Sequence, residues 1–203
     1  MSGGVPILVE GTALTVLVVG GGPVAVRKAA AFVSAGATVR VVALEPSPAM
    51  RELARASRVA LIERAYERGD IGDALLVIAA TSDRTTNAAV AADARASARL
   101  VNVADAPFEG SFATMATHRA GALVVGVTAG GVPGAAARVR DAIARRFDER
   151  YAAALTSLAT LRRSLLDRGA SAEWRALAAD VIDDDFIETV EAGTLDARVA
   201  AWR

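Results

Sequence analysis

The chain has 203 residues, 53% of them apolar, enough for one full domain with a smaller appendage and for a core that folds unaided. Its 23 basic and 23 acidic residues balance, so there is no broad basic field for nonspecific nucleic-acid binding; zero cysteines and one histidine argue against disulfides and a dedicated transition-metal site. No apolar run reaches about 18 residues, and the start MSGGVPILVEG has no charged region ahead of an apolar one, so no membrane span or signal peptide is expected and the chain reads as cytoplasmic.

In chain order, Val5 to Val9 is expected as a short strand or as a segment packed under the first strand, with Glu10-Gly11 a turn. Leu14 to Val19 has the length and composition of a buried parallel strand, and three glycines stop it. Gly20, Gly22 and Ala25 fit the G-x-G-x-x-G/A spacing: a tight turn, a place where a pyrophosphate can approach the backbone, and close helix-to-strand packing. The loop Gly20-Gly21-Gly22-Pro23-Val24-Ala25 is therefore the candidate dinucleotide contact, with a helix from Pro23 to Ser34 behind it. A second strand runs through Val39, Val41 and Val42 to Glu45, about 20 residues past Ala25, where a carboxylate would bond the ribose hydroxyls and favour NAD over NADP.

Further along, Pro46 to Arg55 reads as a short helix entered through Ser47-Pro48, Val59 to Glu63 as a third strand, and Ala74 to Ala80 as a fourth. Thr81-Ser82-Asp83 can cap a helix from Arg84 to Ala96, and Leu100 to Ala104 is the fifth strand. This alternation predicts an α/β, Rossmann-type parallel sheet whose ligands lie beyond the carboxyl ends of the strands, where Gly20 to Pro23, Thr81 to Asp83 and Asp105 gather. Thr81 and Asn102 are candidate ribose or nicotinamide contacts or else structural hydrogen bonds. Asp105 is a candidate proton acceptor or else a turn residue ahead of Ala106-Pro107.

After Pro107 the pattern changes. Ser111 to Thr117 and Ala122 to Thr128 read as an antiparallel hairpin turning at His118-Arg119-Ala120-Gly121. A second Gly-rich turn, Thr128 to Gly134, leads into a helix from Ala135 to Phe147, and everything from Arg150 onward is expected to be helical. His118 reads as a surface residue of the turn, and Trp174 and Phe186 as core. The chain divides into residues 1–110, 111–149 and 150–203, with unpaired hairpin edges that favour a homodimer.

Three stretches together resemble the precorrin-2 dehydrogenases of the sirohaem-synthase N-terminal type, some of which are also sirohydrochlorin ferrochelatases. They are Val18 to Lys28, Val77 to Asp83 with Asn87, and Val101 to Pro107. The resemblance covers Pro6 to Phe147. It implies an NAD domain, a central dimerisation region, a C-terminal helical domain closing over a tetrapyrrole, and the carboxylate matching Asp105 as the main catalytic group. Arg119, Arg138 and Arg140, beside the turn that holds Thr128, Gly130 and Gly131, are the candidate partners of that polycarboxylate substrate.

The chain departs from the family's pattern at two places. Ala129 stands where relatives often carry a serine, and Phe112-Ala113-Thr114-Met115 replaces a Phe-x-x-Pro, so the dehydrogenase is expected ahead of the chelatase. The competing reading is a regulatory module that senses NAD without turnover. A short-chain-type oxidoreductase would need a Tyr-x-x-x-Lys pair, and Lys28 is the only lysine in the chain.

Overall fold

The computed structural model describes residues 4–57 and 59–201. One compact unit runs to Thr114 and a second begins at Met115. The first is built on five parallel strands, β1 (Thr15–Val19), β2 (Thr38–Val42), β3 (Val59–Ile62), β4 (Leu76–Ala79) and β5 (Leu100–Val103), in the spatial order β3-β2-β1-β4-β5. Val16 pairs with Val39 on one side and Leu76 on the other, and Ile78 pairs with Asn102. Chain order therefore reverses at β1, and the crevice between the ends of β1 and β4 is the switch point where such sheets bind ligands.

The strands are apolar throughout because both faces of the sheet are covered. Val16, Val18, Val39, Val41 and Ile78 pack with Ala25 and Ala29 of α1 (Pro23–Ser34) and Met50 of α2 (Pro48–Ala56). Leu17, Val19, Val77, Val101 and Val103 pack with Val90, Ala91 and Ala94 of α3 (Arg84–Ala96). Each Val, Leu, Ile or Met side chain among these, removed fully from water, contributes about 1.5–3 kcal/mol. The helices begin where their caps stand: Ser47 Oγ accepts from the Met50 N–H at 3.3 Å, and the Asp83 carboxylate accepts from the Thr85 and Thr86 N–H groups, both at 3.0 Å.

The structure departs from expectation at several places in this unit. Val5 to Val9 forms no strand and is exposed, Val5 to 81%, so it does not pack beneath β1. Strand β2 stops at Val42, and the chain bends before Glu45, because Gly21 and Ser47 are tied together by a 3.1 Å backbone bond that draws the loop inward. Between β3 and β4, where the sequence pattern offered no element, the link carries no α-helix. In its place a short 3-10 turn at Arg68–Ile71 is fastened by the buried Asp70, which takes two bonds from Arg64 (2.6 and 2.9 Å) and one from the Glu67 N–H. Nor is Ser111 the start of a strand. The Val101 N–H donates to Ser111 Oγ at 2.8 Å, and its carbonyl accepts from the Ser111 N–H at 2.7 Å, so this segment blunts the outer edge of β5.

The second unit opens with the antiparallel pair β6 (Ala116–Ala120) and β7 (Leu123–Val127), in which Ala120 pairs with Leu123. The hairpin exists as expected, but it turns at Gly121-Ala122, with Gly121 at φ +57°, so His118 and Arg119 lie within β6 rather than in the turn. Helices α4 (Pro133–Arg146) and α5 (Glu149–Asp167) pack on this pair. With α6 (Ser171–Val181), α7 (Phe186–Glu191) and α8 (Leu195–Ala200), α5 encloses a core of Tyr151, Leu158, Leu177, Val181, Val190 and Val199. Trp174 and Phe186 are partly buried against that core, as expected. Among the described residues no helix is long and apolar enough to cross a membrane.

Candidate functional site

The loops that leave β1, β2, β4 and β5 touch one another in sequence around the switch point. Gly20 lies at the centre. Its N–H donates to the Val42 carbonyl at 2.9 Å, and a Cβ built on it would stand 2.3 Å from the Ala80 carbonyl oxygen and 3.0 Å from the Thr81 nitrogen. With φ at +127°, it is a position that only glycine occupies without strain. Gly21 is buried against the next loop, where a Cβ would meet Pro46 Cα at 2.6 Å and the Glu45 carbonyl at 3.0 Å, so the glycine loop sets the course of the segment that carries Glu45. Glu45 itself is exposed.

Gly22 differs from both neighbours. It is the N-cap of α1, no side chain caps the helix, Pro23 fills the first turn without an N–H, and no acidic residue lies there. Nothing approaches within 4 Å of where its Cβ would be. The first-turn N–H groups of Val24 and Ala25 thus end in an open, positively polarised helix terminus. Ala25 is buried in the core it shares with β1, as close packing of this helix requires.

Across the switch point, Thr81 and Asp105 are joined by a residue to which the spacing assigned no role. Asn87 is fully buried on the core face of α3. Its Oδ1 accepts from the Thr81 N–H at 3.0 Å and from the Thr81 hydroxyl at 2.8 Å, and its Nδ2 donates to the Thr81 carbonyl at 3.1 Å and to Asp105 Oδ1 at 3.0 Å. The sequence signal was an asparagine in register with Val90, Ala91 and Ala94 on an otherwise apolar helix face. The second oxygen of Asp105 lies 3.9 Å from Arg84 Nε, and Arg84 is itself bonded to Glu109. The Asp105 side chain remains 38% exposed, open to a reactant.

Asn102 faces the other way. Its side chain is buried and its Nδ2 donates to the Phe112 carbonyl at 3.0 Å, while its buried Oδ1 has no hydrogen-bond partner among the described residues. Nearby, Lys28 Nζ donates to Thr114 Oγ1 at 3.2 Å, and desolvation together with the neighbouring Arg27 charge holds its pKa below the ordinary lysine range.

In the second unit, Thr128, Gly130 and Gly131 form the exposed turn ahead of α4, the two glycines at φ +55° and +86°. Arg119 and Arg138 are exposed and form no ion pair among the described residues, whereas Arg140 is taken up by Asp141 at 2.7 Å. His118 Nε2 donates to the Phe147 carbonyl at 2.5 Å, which makes the histidine a clasp between β6 and the end of α4 rather than a turn residue. Among the described residues no three His, Asp or Glu side chains are grouped to hold a metal ion.

With this geometry in view, residues 7–116 match the family model described as putative NAD(P)-binding. The chain belongs to this family. It is 37% identical over 183 residues to the siroheme synthase of Ectopseudomonas mendocina (strain ymp), an alignment covering 88% of this chain and 38% of that protein. To the siroheme synthase of Pseudomonas fluorescens (strain SBW25) it is 42% identical over 116 residues, covering 57% of this chain and 25% of that protein. The chain thus spans about a quarter to two fifths of the length of these curated relatives. A solved structure described as SirC, precorrin-2 dehydrogenase, shares the fold, with a TM-score of 0.77 at 22% identity over 98% of each chain. The resemblance drawn from the motifs is borne out by these matches.

For a member of an NAD(P)-binding family the first unit is well matched to its ligand. The space over Gly22 and the uncapped start of α1 suit a pyrophosphate, which needs backbone donors and close approach rather than side chains. The backbones of Val42, Glu45, Ala80 and Thr81 all adjoin the same glycine loop.

Proposed function

We propose that the chain dehydrogenates precorrin-2 to sirohydrochlorin with NAD, as a cytoplasmic enzyme of siroheme synthesis. The observation that carries this reading is the placement of Asp105, a half-exposed carboxylate beyond the end of β5, linked through Asn87 to the turn at Thr81 that abuts the glycine loop. A module that only senses nucleotide has no use for a carboxylate held in this way.

Bound at Gly20 to Ala25, NAD supplies the hydride acceptor. The backbone of that loop holds the phosphates, and Glu45 offers its carboxylate to the ribose hydroxyls. The second hydrogen of the substrate leaves as a proton, and Asp105 takes it on the oxygen that Asn87 leaves free. Arg119 and Arg138 pair with the substrate's carboxylates, beside the backbone of Thr128, Gly130 and Gly131. Residues 1–110 serve the cofactor, 111–149 a homodimer contact, and 150–203 form the helical domain.

Incubation with precorrin-2 and NAD tests this directly. Expected are NADH in step with the sirohydrochlorin absorption spectrum, and adding ferrous or cobaltous ion to the product tells whether metal insertion follows. NAD binding with precorrin-2 unchanged would assign the chain to nucleotide sensing instead.

A further inference from the structure

Asn87 makes more bonds than its local setting needs. A fully buried amide is costly unless both donors and both acceptor positions are met, and here all four are. Three of them grip one residue, Thr81, at its N–H, hydroxyl and carbonyl. The fourth alone reaches a different loop and ends on Asp105 Oδ1. A carboxylate on a bend after β5 is otherwise free to rotate, and its remaining charged neighbour, Arg84, stands 3.9 Å from the other oxygen and is bonded to Glu109.

We infer that Asn87 is the positioning residue of the dehydrogenation, fixing the Asp105 carboxylate so that Oδ2 is the oxygen that receives the proton. The inference rests on the reading of Asp105 as proton acceptor, and it makes the β4-to-α3 turn the rigid support of that group. Asn87 touches neither substrate nor cofactor, so its whole effect on rate passes through Asp105.

The test is a cycle of Asn87→Ala and Asp105→Ala, with Asn87→Asp as a second variant, each measured for kcat, for the KM of NAD and for melting temperature. Asn87→Ala is expected to lower kcat about 10- to 100-fold with the KM of NAD within about threefold. Added to Asp105→Ala, it should lower the residual rate by less than about twofold, because residues acting as one unit are not additive. Asn87→Asp keeps the shape and the acceptor for the Thr81 N–H, but sets two carboxylates about 3.0 Å apart. They then hold one proton between them, which restores the donor to Asp105, and kcat should gain an alkaline limb where that proton is lost, about one pH unit or more above the ordinary carboxylate range. A further tenfold loss in the Asp105→Ala background, or an Asn87→Asp profile without that alkaline limb, overturns the inference. If Asn87→Ala does not fold, the alkaline limb of Asn87→Asp decides alone. Near-normal turnover of Asp105→Ala would remove the assignment of Asp105 itself, and Asn87's role with it.

Discussion

Gly20 and Ala80 meet backbone to backbone, so closely that a methyl group on Gly20 would lie 2.3 Å from the Ala80 carbonyl oxygen. The positive φ of Gly20 adds a conformational penalty to that clash, and either alone costs about 1–3 kcal/mol. Gly20→Ala is therefore expected to destabilise the protein by about 3 kcal/mol, read from the denaturant midpoint. Gly22 has open space before it and an ordinary φ of −83°, so Gly22→Ala should change stability by only about 0.5 kcal/mol. Gly22→Asp should fold and yet bind neither NAD nor NADP, since its carboxylate would occupy the phosphate position. Wild-type affinity in that variant would move the phosphate site elsewhere.

The turn at Arg68–Ile71 gives a second, pH-dependent test. Bonds from Arg64 and the Glu67 N–H hold the Asp70 pKa below its ordinary value of 3.8. A carboxylate with a depressed folded-state pKa adds stability that is fully present above its unfolded value and is lost as pH falls through the folded value. Asp70→Asn should cost about 2 kcal/mol at pH 7, measured by urea unfolding, with the gap to wild type closing below about pH 4. A constant gap down to pH 2 would show that Asp70 acts by shape and not by charge.

These two cases also mark how far the sequence could be read. Parallel strands covered on both faces appear as unbroken apolar runs, and helices opened by Pro23, Ser47-Pro48 and Asp83 announce their own starts, so the five strands and α3 were legible, although the strands end short of the apolar runs and β2 stops at Val42, before Glu45. The 3-10 turn was not, because what holds it is a pairing of Asp70 with Arg64 that carries no periodicity. The hairpin register escaped for a similar reason: Gly121-Ala122 is a weak turn signal, and the clasp from His118 to Phe147 joins residues far apart in the chain. In the site itself, the glycine loop and Asp105 stood out by motif. Asn87 and Asn102 each have a tertiary partner that no local spacing reveals.

The hairpin bears on assembly. Strands β6 and β7 form a two-stranded sheet with no further strand paired to either edge among the described residues, and such edges invite a second copy. A dimer is expected by light scattering at micromolar concentration. A monomer with the hairpin intact would remove the dimerisation role from residues 111–149.

Asp105 separates chemistry from structure. Asp105→Ala should leave NAD affinity unchanged and lower precorrin-2 dehydrogenation by about two to four powers of ten, the usual contribution of a positioned acid-base group. Asp105→Asn keeps an acceptor for the Asn87 amide but cannot take a proton at neutral pH, so it should be almost as slow. A turn residue would behave differently, giving a lowered melting temperature with turnover near normal at low temperature.

The contact of Gly21 with Pro46 brings the choice between NAD and NADP within reach of two substitutions. Glu45 is exposed on the loop that leaves β2, and a 2′-phosphate bound beside it would face a like charge. At a solvent-exposed site that repulsion is worth about 1–2 kcal/mol, so NAD should bind roughly tenfold more tightly than NADP, with the difference shrinking at high salt. Glu45→Gln removes the charge without moving the loop and should bring the two affinities together by raising that for NADP. Gly21→Ala acts on the loop and not on the charge. Its methyl would lie 2.6 Å from Pro46 Cα and 3.0 Å from the Glu45 carbonyl, so residues 43–46 must shift outward and carry the carboxylate with them. Both affinities should then fall, NAD more than NADP, because the bond from the carboxylate to the 2′-hydroxyl belongs to NAD alone. Isothermal titration of both nucleotides against both variants decides the matter, and NADP binding as tight as NAD in the unaltered protein would remove Glu45 from the site.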